Sequence, residues 1–164
     1  MISRDRISVA IQNALVSFAA YIVGFYFTSL FHGRSSSIGG LWSLIAAIVV
    51  LQATSRDTWK SAASRVLGTL IGSAIAGFYL YLLPFSPIGM AVSIGFTVLL
   101  CQALNVPDHG RLAAGTVALI MVLSTGNPEL PPFTNAALRF VESAIGAGIA
   151  VLAVLLWPKA KDTA

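Results

Sequence analysis

Charge is what this sequence has least of. Lys, Arg, Asp and Glu together make up 10% of the 164 residues, while hydrophobic residues reach 57%, against roughly 25% charged residues in soluble domains. No soluble fold hides that much apolar surface, so that class is excluded. Cysteine occurs once, as Cys101 within an apolar stretch. One thiol forms neither an intrachain disulfide nor a cysteine-based metal site, and this one is expected to pack among apolar neighbours or face lipid. The two histidines, His32 and His109, are isolated in connections, so no metal site is expected. Serine and histidine never occur with elbow glycines, no glycine-rich loop precedes a Lys-Ser/Thr pair, and His-Glu-x-x-His is missing. With so little chain outside the apolar stretches, neither an enzyme nor a cofactor is expected.

What is present is a run of apolar segments. Six emerge, at 7–31, 38–54, 66–83, 88–105, 112–124 and 136–157, each of a length that suits a crossing of the bilayer by about 20 residues, the second and fifth being short. All seven prolines fall between or just after them, where a missing N–H and a fixed φ do no harm. The first segment follows Arg4 and Arg6 as a secretory signal would, but it is too long, carries Tyr21 and Tyr26 and has no small-residue cleavage site, so it is expected to stay as a span. The chain is thus expected to be an all-α membrane protein, a single transmembrane domain over 1–164.

The ten Lys and Arg residues are scattered in ones and twos, unlike a nucleic-acid surface, and set the topology instead. With the N-terminus in the cytoplasm, Arg4, Arg6, Arg56, Lys60, Arg65, Arg111, Lys159 and Lys161 lie inside, and only Arg34 and Arg139 outside. Both termini are therefore expected on the cytoplasmic side of the cell's inner (plasma) membrane. The short uncharged connection 84–87 predicts a tight hairpin between the third and fourth spans.

Shifting the chain by 74 residues brings Ala62 and Ala63 onto Ala136 and Ala137, Arg65 onto Arg139, Gly72 onto Gly146, Ala76 onto Ala150 and Pro84 onto Pro158. Such a frame predicts a repeat with halves of about 1–84 and 85–158, and three spans per half force the halves into opposite orientations: a 3+3 inverted design.

Arg65 and Arg139 are the leading candidates for function. Read from hydropathy, each stands at the N-terminal end of its helix, where the helix already presents about half a positive charge; a carboxylate would neutralise both charges through the planar guanidinium fork. Arg65 also reads as an ordinary inside charge, and Arg139 as a partner for Glu142 three residues on. Glu142 is the only carboxylate within an apolar span, and hence the candidate proton carrier. Gly68, Gly72 and Gly146 mark faces for close helix packing. Trp42, Trp59, Trp157, Tyr79 and Tyr81 suit an aromatic belt, Trp42 also a substrate path. Gln52, Gln102 and Asn105 are polar groups near span ends, and Asp57 and Asp108 are expected to be solvated in turns.

The stretch from Gly39-Gly40-Leu41-Trp42 to Gln52, followed by Ser64-Arg65-Val66-Leu67-Gly68-Thr69-Leu70-Ile71-Gly72, resembles the membrane module of the fusaric acid resistance and aromatic acid exporter family, to which the plant aluminium-activated malate transporters are related. The run from Arg65 to Gly72 is its most specific part. The resemblance implies export or channelling of small organic, including aromatic, anions by a homo-oligomer, with a dimer favoured; Arg65, Arg139, Gln52 and Trp42 are the expected substrate contacts. Larger relatives carry a sizeable cytoplasmic domain and sometimes two membrane modules, and this sequence holds one module. An alternative reading is therefore a non-transporting scaffold or subunit of a larger complex in the bilayer.

Overall fold

A computed structural model describes residues 4–157, with side chains from Ile7 onward except those of Pro107 and Asp108. The side chains of Arg4, Arg6 and Asp108, and all of Pro158, Lys159 and Lys161, lie outside the described residues. Six α-helices follow one another: α1 (Arg4–Ser29), α2 (Ser36–Val50), α3 (Ser55–Leu82), α4 (Pro87–Ala103), α5 (Pro107–Gly126) and α6 (Pro132–Leu156), with a single 3₁₀ turn at Gly33–Ser35 before α2. Among the described residues no strand occurs.

Local chemistry sets the helix ends. Pro87, Pro107 and Pro132 are each the first residue of a helix, where the missing N–H would have no partner and φ is already helical. Ser86 caps α4 by accepting the N–H of Gly89 at 2.9 Å. Asn105, at φ 58°, is the one non-glycine described residue in the left-handed region, in the bend between α4 and α5. At α3, the Thr54 hydroxyl accepts the N–H of Asp57 at 3.1 Å and donates to the Asp57 carboxylate at 2.7 Å. This side-chain exchange works like a capping box, with the short carboxylate of Asp in place of Glu.

That cap overturns one expectation. Hydropathy rises only at Val66, yet the helix begins at Ser55, so Arg65 stands almost three turns inside α3; likewise α6 begins at Pro132, and Arg139 is two turns in. The helix-terminus field fades within the first turn. Neither arginine is placed to be reinforced by a helix start, and the physics of these two sites has to come from burial instead.

Four helices are long and apolar enough to cross a membrane, with spans at Ile7–Ser29, Gly33–Val50, Ser55–Leu82 and Pro132–Leu156, and α4 is a shorter apolar helix of 17 residues. Their packing is inverted relative to a soluble protein. The large apolar side chains point outward, as at Phe18, Leu30, Ile88, Phe96 and Leu156, while alanine, serine and threonine fill the interior, as at Ala46, Ala76, Ala150, Ser43, Thr69 and Ser143. Lipid accepts the former, and small side chains let helix backbones approach.

The chain divides into two compact units, one of residues 1–62 with 142–164 and one of residues 63–141. These units cut across the sequence halves. In the first, α1 and α2 pack together and are joined by the part of α6 from Glu142 onward, along with the opening turns of α3. In the second, α4 and α5 pack together with α3 from Ala63 and the opening turns of α6. Ala76, Val117, Ile120 and Met121 make its apolar core. The four-residue connection between α3 and α4 is the tight hairpin that its lack of charge implied.

Candidate functional site

In the first unit the crossing of α1 and α2 is built on glycines. A Cβ on Gly39 would collide with the Thr28 hydroxyl and stand 2.6 Å from Glu142 Oε1, and one on Gly40 would come within 2.9 Å of the Tyr21 ring. Into this crossing α6 inserts Glu142, which is fully buried. Its Oε1 accepts the Thr28 hydroxyl of α1 at 2.5 Å, and its main-chain oxygen accepts the Ser43 hydroxyl of α2 at 2.9 Å. One residue of α6 is therefore bonded to two other helices. A buried carboxyl is costly unless hydrogen-bonded, and the sequence offered no sign of these partners, 114 and 99 positions away.

Next to this crossing, Gly146 meets the Ser43 carbonyl, so that a Cβ there has no room. Trp42 is 4% exposed, and its burial removes it from the aromatic belt to which its position near a span end had assigned it. Gln52 lies beyond the end of α2; its main-chain N–H donates to the Thr58 hydroxyl at 3.0 Å and its side-chain amide donates to the Val49 carbonyl at 3.0 Å. That geometry closes the α2–α3 turn. Trp157 donates to the Ser8 hydroxyl at 3.2 Å, tying the end of α6 to the start of α1.

The second unit holds both arginines. Arg65 is 8% exposed and Arg139 is 1% exposed, which is uncommon for a side chain normally solvated. Each heads the same pattern. Arg65 is followed at i+4 by Thr69, at i+7 by Gly72 and at i+11 by Ala76; Arg139 is followed at the same intervals by Ser143, Gly146 and Ala150. All of these residues are buried. The hydroxyls at i+4 were not singled out from the sequence, although the 74-residue frame pointed at them. Gly72 meets the Ala113 carbonyl of α5, and a Cβ on Gly68 would stand 2.9 Å from the Leu112 Cβ. Asn135 at the start of α6 donates to the Ser124 hydroxyl of α5 at 2.9 Å.

A groove of about 770 Å³ opens between α3, α4 and the start of α6, with Ile75, Phe78, Phe96 and Phe133 among its walls. None of the candidate site residues lines it. Cys101 is buried, with its Cβ against Gly110 of α5. Among the described residues no group of His, Cys, Asp and Glu side chains gathers in a number that could hold a metal ion.

A family model described as fusaric acid resistance protein-like matches residues 15–153. A UPF0421 protein of Staphylococcus epidermidis is 28% identical over 135 residues, covering 82% of this chain and 40% of the relative. A UPF0421 protein of Bacillus cereus is 29% identical over 116 residues, covering 71% of this chain and 32% of the relative. The chain thus spans less than half the length of these curated relatives. No solved structure matches.

Proposed function

This chain belongs to the fusaric acid resistance protein-like family, and from that membership we propose that it is a module that moves small organic anions across the cell's inner membrane, as an exporter or a channel. The observation that carries the reading is the pair of nine-tenths-buried arginines, Arg65 and Arg139, within helices of membrane-spanning length. Burying a guanidinium in a membrane helix is expensive, and such residues mark ion or substrate pathways. The fork of nitrogens suits a carboxylate in two parallel hydrogen bonds. Each arginine has a hydroxyl one helical turn further on, at Thr69 and Ser143, able to donate to an anion that has passed the guanidinium.

In this reading all six helices cross as a 3+3 inverted repeat, with both termini cytoplasmic. Trp42 and Gln52 contact the anion, and Glu142 carries the proton if transport is coupled. Several copies, a dimer favoured, complete the passage.

The test is flux of carboxylates from proteoliposomes holding the purified chain. Exchanging Arg65 and Arg139 together for glutamine is expected to cut organic-anion flux by at least tenfold, a loss of about 1.4 kcal/mol or more at the site. Unchanged flux and selectivity in that double variant would remove the arginines from the pathway. The competing reading, a membrane subunit that scaffolds a partner, draws on the relatives' much greater length. It expects no flux from the purified chain and a second protein that stays with it on extraction.

A further inference from the structure

Hydroxyls buried inside a helix normally turn back onto their own backbone, and several in this chain do so. Thr97 donates to the Ser93 carbonyl, Thr116 to that of Leu112 and Ser124 to that of Ile120, each four residues back, at 2.6–2.9 Å. Ser73 in α3 does not do so. It is 4% exposed, and its hydroxyl finds no hydrogen-bond partner among the described residues.

Its place on the helix is not arbitrary. Arg65, Thr69 and Ser73 follow at i, i+4 and i+8, so they share one stripe along α3 at a spacing of about 6 Å per step. All three are at least nine-tenths buried, and all belong to the second unit. The next step of the same series, Gly77, faces Ala136 of α6, whose Cβ would be 3.1 Å from an added Cβ. The stripe thus begins at a guanidinium, continues through two hydroxyls and ends where α6 closes on the glycine.

We infer that Ser73 is a binding residue for the transported anion, the third station of a track in which Arg65 receives the carboxylate, Thr69 follows and the open Ser73 hydroxyl donates to a carboxylate oxygen. The inference rests on the transport reading and extends it to a residue that the repeat does not contain, since the frame places Ala147 opposite Ser73. A buried hydroxyl that is unsatisfied destabilises the resting protein. Ser73 therefore separates two properties that a structural serine would keep together: resting stability, which it lowers, and anion passage, which it serves.

The experiment compares the wild type with Ser73→Ala, and with Ser73→Thr as a variant that keeps the hydroxyl. Each full chain is purified, melted in detergent and assayed in proteoliposomes with a panel of labelled benzoate, acetate and malate. Ser73→Ala is expected to raise the melting temperature by about 2–4 °C and to raise the KM of every transported carboxylate about fivefold, as for loss of one hydrogen bond; Ser73→Thr keeps a KM near the wild-type value. Should Ser73→Ala carry flux with an unchanged KM, the inference falls and the arginine pathway stands. A lower melting temperature for Ser73→Ala would make Ser73 a structural residue and overturn the inference as well. Absence of flux for the whole panel from the wild type would overturn both this inference and the transport reading.

Discussion

Helices α3 and α6 share one pattern of buried residues. Shifted by 74 residues, Arg65, Thr69, Gly72 and Ala76 of α3 fall on Arg139, Ser143, Gly146 and Ala150 of α6, and the members of each pair are alike in burial. Each glycine meets a main-chain carbonyl of a neighbouring helix, Gly72 that of Ala113 in α5 and Gly146 that of Ser43 in α2. Among the buried positions from the arginine to the alanine, the departures are Gly68 against Glu142 and Ser73 against Ala147. The shared positions are those that packing and a buried cation require, whereas the two that differ each place a polar group in one helix only. A helix pair that repeats its packing and varies its polar groups separates what holds the protein together from what distinguishes its two arginine regions.

The strongest way to break the comparison is at the shared glycines. Gly72→Val and Gly146→Val each force a branched side chain against a carbonyl that belongs to another helix and cannot rotate away. Overpacking of this kind costs about 3 kcal/mol or more, enough to remove folded protein. Both variants are expected to lose the monodisperse peak on size exclusion after extraction. If one glycine tolerated valine while the other did not, the two helices would not be packing equivalents.

Next in size is Glu142, where the helices differ. Glu142→Ala removes the acceptor for the Thr28 hydroxyl and leaves that hydroxyl buried, for a cost of about 2–3 kcal/mol. Glu142→Gln retains an oxygen in the same place and is expected to lose less than half as much. The Thr28→Val change, measured alone and with Glu142→Ala in a thermal-melt cycle, should show the two losses to be non-additive because they share one bond. Additive losses would mean that the bond contributes nothing to stability. Under the transport reading Glu142→Gln also removes the single proton carrier, so flux driven by a pH gradient should cease while flux driven by an anion gradient continues. Retention of the pH-driven flux would exclude coupling through this residue.

Much of this arrangement was legible before any coordinates, and what was hidden has physical reasons. Lipid-facing segments advertise themselves through composition, and Pro87, Pro107 and Pro132 mark helix starts because a first-turn proline costs nothing. Hydropathy, however, measures where a helix becomes apolar, not where it begins; hence Arg65 and Arg139 were placed at helix ends they do not occupy. Thr54 and Asp57 carried the missing signal for α3, and Pro132 the one for α6. The partners of Glu142 were beyond reach, since hydroxyls on α1 and α2 reveal nothing of a contact made across more than ninety residues. The burial of Trp42 was hidden likewise, because an indole near a span end has the same sequence signature in a core as at an interface. Also invisible was that most of α3 joins α4 and α5 while most of α6 joins α1 and α2, because matching residues in two helices do not state which neighbours each one packs with.

The gentlest test concerns the hydroxyls one turn beyond each arginine. Thr69 and Ser143 are alike in being fully buried and differ by one methyl group, so the frame treats them as the same functional group. Exchanging them in place, Thr69→Ser with Ser143→Thr, keeps a donor at both positions and should leave organic-anion flux within about twofold of wild type. Removing the donor, by Thr69→Ala or Ser143→Ala, takes away a hydrogen bond of about 1 kcal/mol and should raise KM about fivefold in either case. The flux assay that tests the arginine pair answers this with three more variants. A loss at Thr69 alone would confine the anion track to α3, and with it to the unit that also holds Ser73; equal losses would extend the track to both copies of the pattern.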